Sequence, residues 1–406
     1  MNTPDTSEKQ PNIVICWELG GGLGHLVKGA MLARLLLERD CTVSFAVRDL
    51  ASAHPLLPED SYCLVQAPYF DGQLRDWAPP ADYAELLLHA GWGEAGGLRA
   101  RVRGWRGLYD ALNADLVIAD HAPTAILAAR TQGIPTVQWG HGFGMPTRPW
   151  PVFRTWEATP VERLTQVRRH ILTTVNAVLE HFGEAGLDAP EQLLDTAACF
   201  LNTWPELDHY PGRGNADYCG PLWPAGIGEP PWQGESNRPR IFAYLRPNLP
   251  GLPAVIQALA ALDADILIHL ADRSGLDLPA ALPSHLRFTD RLIDIHAVAR
   301  NADLVLCSGT DTLHGMAVRG IPTLALPMNA EQRMGAERLA AIGAGLYLVP
   351  SATPDFLPAV ADALNQLLHQ PAFRQNASHL QSAYENRDSD AALAAIADRC
   401  VALAAG

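Results

Sequence analysis

The chain has 406 residues, 48% of them hydrophobic and 18% charged, with 44 acidic against 30 basic residues and a formal charge of −14. That composition excludes a disordered or collagen-like chain. The acidic balance argues against a nucleic-acid partner, which would need a basic face, but leaves room for a small anionic ligand, which needs only local donors.

No segment reaches the roughly 20 uninterrupted apolar residues of a spanning helix. The start, MNTPDTSEKQPN, lacks the apolar stretch of a secretion signal, so a cytoplasmic protein is expected. Seven scattered cysteines without a CxxC pair argue against a disulfide framework or a Cys-based zinc site.

In chain order, Ile13-Val14-Ile15-Cys16-Trp17 reads as a buried strand. Gly20-Gly21-Gly22-Leu23-Gly24-His25 follows, then a helical pattern through Met31, Leu32, Leu35 and Leu36, then a strand at Thr42–Val47. Such a strand, glycine loop, helix and strand usually build a parallel sheet. The rhythm recurs with a strand ending at Asp120, a helix from about Thr124 to Gln132, and a strand ending at Trp139. Residues 68–100 and 140–156 read as irregular insertions rich in aromatics and glycine. Insertions of that kind usually lie at the functional rim of an α/β scaffold. Residues 202–240 are loaded with Pro, Gly and Trp and read as an inter-domain linker. Strands are expected again at 240–245, 265–270, 303–307 and 322–326, and an Ala-rich helical tail at 372–405. The fold class is α/β, with two doubly wound domains and a cleft between them.

The richest segment runs Ala302-Asp303-Leu304-Val305-Leu306-Cys307-Ser308-Gly309-Thr310-Asp311-Thr312, then Gly320-Ile321-Pro322, Leu326-Pro327, Glu331-Gln332 and Ala336-Glu337-Arg338-Leu339. A strand feeds a turn of small residues that opens a helix. Outward backbone N–H groups and the helix dipole make a phosphate cradle there that requires no cation. An ordinary βαβ turn is the competing reading. The second turn at Pro327 to Gln332, at βα spacing, favours function.

With these motifs the chain resembles the nucleotide-sugar-dependent glycosyltransferases of the two-domain GT-B type, in the UDP-glycosyltransferase and macrolide (antibiotic) glycosyltransferase branch. The resemblance covers nearly the whole chain and is strongest at 12–50, 114–139 and 302–346. It implies an acceptor-binding Rossmann-like domain at 1–215, a linker at 216–239, a donor-binding Rossmann-like domain at 240–375, and a tail at 376–406 able to cross back to the first domain. The family's diphosphate-contacting His falls at Cys307, a later Gly at Asp311, and a ribose-holding Glu near Gly315. Ser308, Gly309, Thr310 and Thr312 retain the groups that hold phosphate oxygens. Glu331 and Gln332 match the pair that reads donor-sugar hydroxyls. Gly24 and Arg246 are further donor-contact candidates, Arg246 either neutralising a donor phosphate or being a plain surface charge. Asp290-Arg291-Leu292-Ile293 lies in the loop where the resembled family holds the nucleotide base, which makes Arg291 or Leu292 the candidate there.

Gly20 to His25 fails as a dinucleotide fingerprint, because the third glycine of GxGxxG is absent. In the resembled family a His at this helix start is the general base, and His25 matches it. A base needs a neutral imidazole near the acceptor hydroxyl, and a helix N-terminus favours that form. Asp120, at a strand end, matches the acid that orients the base. The alternatives are a packing histidine and a helix-capping aspartate. His141, Trp150 and Trp156 are candidate acceptor contacts.

The resemblance implies an inverting, metal-independent transferase without a cofactor. Its co-substrate would be a UDP- or TDP-type nucleotide sugar, and its acceptor a small molecule, a lipid or a glycan. No metal ligand is assigned. Two rivals stand beside it: a nucleotide-sugar epimerase of the same fold, and a non-catalytic nucleotide-sugar-binding partner of a transferase. Retention of His25 and Asp120 argues against the second.

Overall fold

The computed structural model describes residues 10–22, 24–54, 56–57, 61–72, 78–223, 228–271 and 283–406. Most of the polar start, part of the first insertion (73–77) and part of the linker (224–227) lie outside the described residues. The chain forms two compact units: residues 1–202, 212–220 and 389–406 in one, and 203–211 with 221–388 in the other.

The first unit contains β1 (Asn12–Trp17), α1 (Gly24–Leu37), β2 (Thr42–Val47), α2 (Leu50–Ala53), β3 (Cys63–Gln66), α3 (Tyr83–Leu87), α4 (Ala95–Leu112), β4 (Leu116–Asp120), α5 (Pro123–Arg130), β5 (Thr136–Gly140), α6 (Val161–His181), β6 (Ala198–Leu201) and β7 (Asp217–Tyr218). Its seven strands form one parallel sheet in the order β3-β2-β1-β4-β5-β6-β7. β1 and β4 are the central pair, and their apolar runs are buried along nearly their whole length, as a parallel sheet covered on both faces requires. The strand order reverses between them. Their C-terminal ends meet in register, Trp17 opposite Asp120. That crevice is where ligands bind in open parallel sheets.

The first insertion is more regular than its composition suggests. Asp82 caps α3 by accepting from Glu85 N, and Glu94 caps α4 by accepting from Gly96 and Gly97 N. Between these helices the chain kinks within Leu88–Trp92, where Ala90 and Gly91 leave helical dihedrals, Gly91 with φ 80°. Trp92, Trp105 and Tyr109 anchor this layer in the core.

The second unit contains β8 (Arg240–Tyr244), α7 (Leu252–Ala260), β9 (Asp265–His269), β10 (Leu286–Thr289), α8 (Ile295–Asn301), β11 (Leu304–Cys307), α9 (Thr310–Ala317), β12 (Thr323–Ala325), α10 (Ala330–Ala341), β13 (Gly345–Tyr347), α11 (Phe356–His369) and α12 (Pro371–Tyr384). Its six strands are parallel in the order β10-β9-β8-β11-β12-β13, again reversing beside a central pair whose ends meet in register, Tyr244 opposite Cys307.

Composition marks 202–240 as linker, yet 203–211 docks firmly within the second unit. Trp204 stacks on Tyr384 with ring centroids 4.2 Å apart, and Tyr384 donates its hydroxyl to Glu206 at 2.6 Å. Residues 221–239 also count with this unit. The last helix, α13 (Ser389–Ala404), belongs to the first unit, where it packs on α1 and Arg39 pairs with Asp398. No helix among the described residues is long and apolar enough to cross a membrane.

Candidate active site

In the first unit, the crevice between β1 and β4 gathers the two residues that sequence puts at its centre. His25 stands in the first turn of α1, directly after a loop in which Gly20 and Gly22 have φ of 81° and 112°. Its ring stacks on Trp17, with centroids 5.4 Å apart and planes at 18°. Its Nδ1 lies 2.9 Å from Asp120 Oδ1. This pairing directs Nε2 away from the carboxylate and fixes the tautomer that a base needs. Gly20 is required here, since a Cβ would stand 3.0 Å from His25 Nε2. Gly140, at φ 151°, likewise leaves room for Asp120, whose Oδ1 a Cβ would approach to 3.2 Å. Asp120 is 4% exposed, so its charge acts on His25 in a poorly solvated setting.

A pocket opens over this pair, lined among others by His25, Tyr83, Asp120, His121, His141 and Met145. His141 lies 6.3 Å from His25, ring centre to ring centre. Trp150 is 2% exposed and absent from the lining; it packs edge-on against Tyr83 at 5.1 Å and supports the pocket wall from behind. Trp156 sits under the guanidinium of Arg154 at 5.4 Å, also outside that lining.

As an alternative base beside His141, His121 is marked in the sequence only by its place after Asp120. It has φ 47°, a left-handed conformation that a non-glycine residue rarely holds and that clusters at functional sites. Its carbonyl accepts from Leu19 N at 3.0 Å, and its ring lies so close to Gly144 that a Cβ there would stand 2.8 Å from Cδ2. Nothing in the sequence beyond its place after Asp120 signals this geometry.

Glu18, unassigned by sequence, is fully buried behind the same crevice. Its carboxyl accepts from the backbone N (2.8 Å) and the hydroxyl of Thr124, so it caps α5, whose own N-cap, Ala122, has no side-chain acceptor. Burial pushes its pKa up to about 7 despite those donors.

In the second unit, the turn after β11 opens α9 as sequence predicts. Gly309 is the N-cap and provides no side-chain cap, so the first-turn N–H groups lack an intrahelical acceptor. Ser308 is 4% exposed, and its Oγ has no hydrogen-bond partner among the described residues, a buried hydroxyl of the kind a ligand oxygen satisfies. Cys307 is wholly buried and burial pushes its thiol up to about 12, so its side chain is packing rather than a phosphate contact. Thr310 donates its hydroxyl to Glu331, and His209 Nε2 lies 3.6 Å from the same carboxylate oxygen. Burial pushes the Glu331 carboxyl up, but the contacts from His209 and Thr310 outweigh it and hold the group below its usual range. Gln332 is buried at the start of α10, where its N donates to the N-cap Asn329 and its Oε1 accepts from Met328 N at 2.8 Å. Arg246 and Leu292 are exposed, Leu292 by 59%, and Gly24 opens α1 in the other unit.

Two Asp-x-Asp triplets occur, Asp263-Ala264-Asp265 and Asp388-Ser389-Asp390. The first lies at the N-terminal end of β9, the sheet edge opposite the one bearing Cys307, and Asp263 pairs with Arg238 at 2.9 Å. The second flanks the start of α13.

Residues 253–403 match the model of the erythromycin biosynthesis protein CIII-like, C-terminal domain. A "PGL/p-HBAD biosynthesis glycosyltransferase" of Mycobacterium tuberculosis is 28% identical over 312 residues, 71% of either chain. The "TDP-daunosamine transferase DnrS" of Streptomyces peucetius is 31% identical over 177 residues, 41% of this chain and 39% of that one. The solved structure of glycosyltransferase VinC in complex with dTDP superposes with a TM-score of 0.66 over 97% of this chain and 99% of its own, at 19% identity. The chain is a glycosyltransferase of the GT-B fold, with an EryCIII-like C-terminal domain over residues 253–403 and homologues among the macrolide and antibiotic glycosyltransferases.

Proposed function

We propose that the protein transfers a sugar from a dTDP-type nucleotide sugar to an acceptor hydroxyl, with inversion and without a metal ion. The observation that carries this reading is the 2.9 Å contact between His25 Nδ1 and Asp120 Oδ1 at the carboxyl ends of β1 and β4. His25 Nε2 takes the acceptor proton as the acceptor oxygen attacks the anomeric carbon. Asp120 stabilises the imidazolium that forms. The nucleotide diphosphate leaves from the opposite face of the sugar. Its charge is received by the first-turn N–H groups of α9 and the hydroxyls of Ser308 and Thr312. Glu331 and Gln332 contact the sugar. The dTDP preference is supported by two similar proteins, VinC, whose structure is a complex with dTDP, and the TDP-daunosamine transferase DnrS. The pocket bordered by Tyr83, His121, His141 and Met145 is where the acceptor hydroxyl meets His25.

Titration calorimetry with dTDP, UDP and GDP in the presence of EDTA tests the donor half. Binding of dTDP without added divalent cation is expected. A strict magnesium requirement overturns the metal-free reading. Release of free epimerised sugar from a nucleotide sugar without any acceptor would favour the epimerase rival.

A further inference from the structure

The segment 203–211, which composition marks as linker, docks as a strap within the second unit. Thr203, Asp208, His209 and Tyr210 are each no more than 3% exposed. The strap is fixed at several points. Trp204 stacks on Tyr384, and Arg338 Nε donates to Glu206 O at 3.2 Å. Thr203 Oγ1 lies 3.1 Å from His314 Nδ1, a hydrogen bond between strap and α9. His209 packs 5.8 Å from the His314 ring, so its imidazole is backed by a side chain that is itself held. Its Nε2 is then 3.6 Å from Glu331 Oε1, the atom that also receives the Thr310 hydroxyl.

We propose that His209 is a positioning residue for the donor sugar, holding Glu331 in the orientation in which it contacts that sugar; this rests on the reading of Glu331 as a sugar contact given above. A glutamate has three side-chain torsions, and ordering it on binding has an entropic cost. Contacts from two sides, Thr310 on α9 and His209 on the strap, meet that cost before the donor arrives. The family-like motif at 302–339 contains Glu331 and Thr310 but not His209, so the strap supplies a determinant that the motif lacks.

The test uses the full-length protein and two probes, dTDP and dTDP-glucose, with Kd read by calorimetry. Gln carries its amide nitrogen about where histidine has Nε2, whereas Asn ends near Nδ1 and falls short of Glu331. His209→Asn is expected to weaken dTDP-glucose about fivefold to tenfold, the scale of one lost polar contact to a carboxylate, and to leave dTDP unchanged. His209→Gln is expected to restore dTDP-glucose to near the native Kd. Equal weakening of both probes, no change in either, or equal behaviour of Asn and Gln overturns the proposal and leaves His209 a packing residue. Glu331→Gln is the control. If it leaves the ratio of the two Kd values unchanged, the sugar reading of Glu331 falls and the proposal with it. If it changes the ratio while His209→Asn does not, only the proposal falls.

Discussion

The indole of Trp223 lies against the backbone of Gly315, where a Cβ would stand 1.7 Å from ring atom Cζ2. Arg319, just beyond the C-terminal end of α9, covers the indole with its guanidinium 4.3 Å from the ring centre, and His296 meets it edge-on at 6.0 Å. The ribose-holding Glu of the resembled family falls near this glycine, and here an aromatic side chain fills the space that a side chain at Gly315 would need. Gly315→Ala should destabilise the protein by about 1–3 kcal/mol or more, since Trp223 must leave its place. Gly315→Glu should be worse, with no gain in nucleotide affinity. Melting temperatures with and without dTDP check both. A Gly315→Ala protein of native stability would mean that Trp223 does not rest on α9.

The elements legible in the sequence were those with a strong period or a rigid signal. The apolar runs at 13–17, 42–47 and 303–307 are strands because both faces of a parallel sheet are buried. His25 and the turn at 308–312 were legible from their place between strand and helix. Other features depend on partners distant in sequence. Glu18 looks like an ordinary loop acid until α5 arrives with an uncapped N-terminus 105 residues later. The strap at 203–211 reads as linker because its Pro and Trp content is that of a linker, while its order comes from α9, α10 and α12. His121 and Trp150 differ for the same reason: burial of the second behind Tyr83 is a property of the packed insertion, not of its local sequence.

Glu18 predicts how stability depends on pH. Its folded pKa, about 7, is above the value of 4.5 for an unburied glutamate. The native state thus binds the proton more tightly than the unfolded state does. Stability from this group is complete below about pH 4.5, declines as pH rises towards 7, and is flat beyond. The full difference is about 3 kcal/mol at the conversion of about 1.4 kcal/mol per pKa unit. Urea unfolding at pH 5 and pH 8 should show this decline in the native protein. Glu18→Gln, which still offers an oxygen to Thr124 N, should lose most of it. An unchanged pH slope in that variant would place the dependence elsewhere.

The wall of the pocket rests on two ion pairs that tie α3 to α6. Arg163 makes two 2.6 Å bonds to Glu85, and Arg168 donates to Asp82 at 2.7 Å and to Trp150 O. Asp82 and Glu85 are 0% and 1% exposed and flank Tyr83. Removing one partner of such a pair strands a buried charge and costs about 3–5 kcal/mol, whereas replacing both costs far less. Arg168→Met should therefore lower stability by that amount, and adding Asp82→Asn should recover part of it. In the surviving folded molecules the acceptor KM should rise while dTDP affinity stays, because Tyr83 moves and the turn before α9 does not. Equal loss of both would argue against a local role.

The base assignment makes the sharpest demand on the protein. General base catalysis contributes about 10²–10⁴-fold, so His25→Ala should slow single turnover on that scale. Binding of dTDP should persist, since Ser308 to Thr312 belong to the other unit. Asp120→Asn keeps the shape near Gly140 but removes the charge facing Nδ1, and it should also slow turnover. Because the two side chains act through one contact, the double variant should be little slower than His25→Ala alone. If His25 only packs on Trp17 and Asp120 only supports its turn, the variants would lose stability while keeping a native rate per folded molecule. Melting temperature and single-turnover rate measured on the same samples separate these outcomes. Full activity in a well-folded His25→Ala protein would remove His25 from the reaction and pass the role of base to His121 or His141, which line the same pocket.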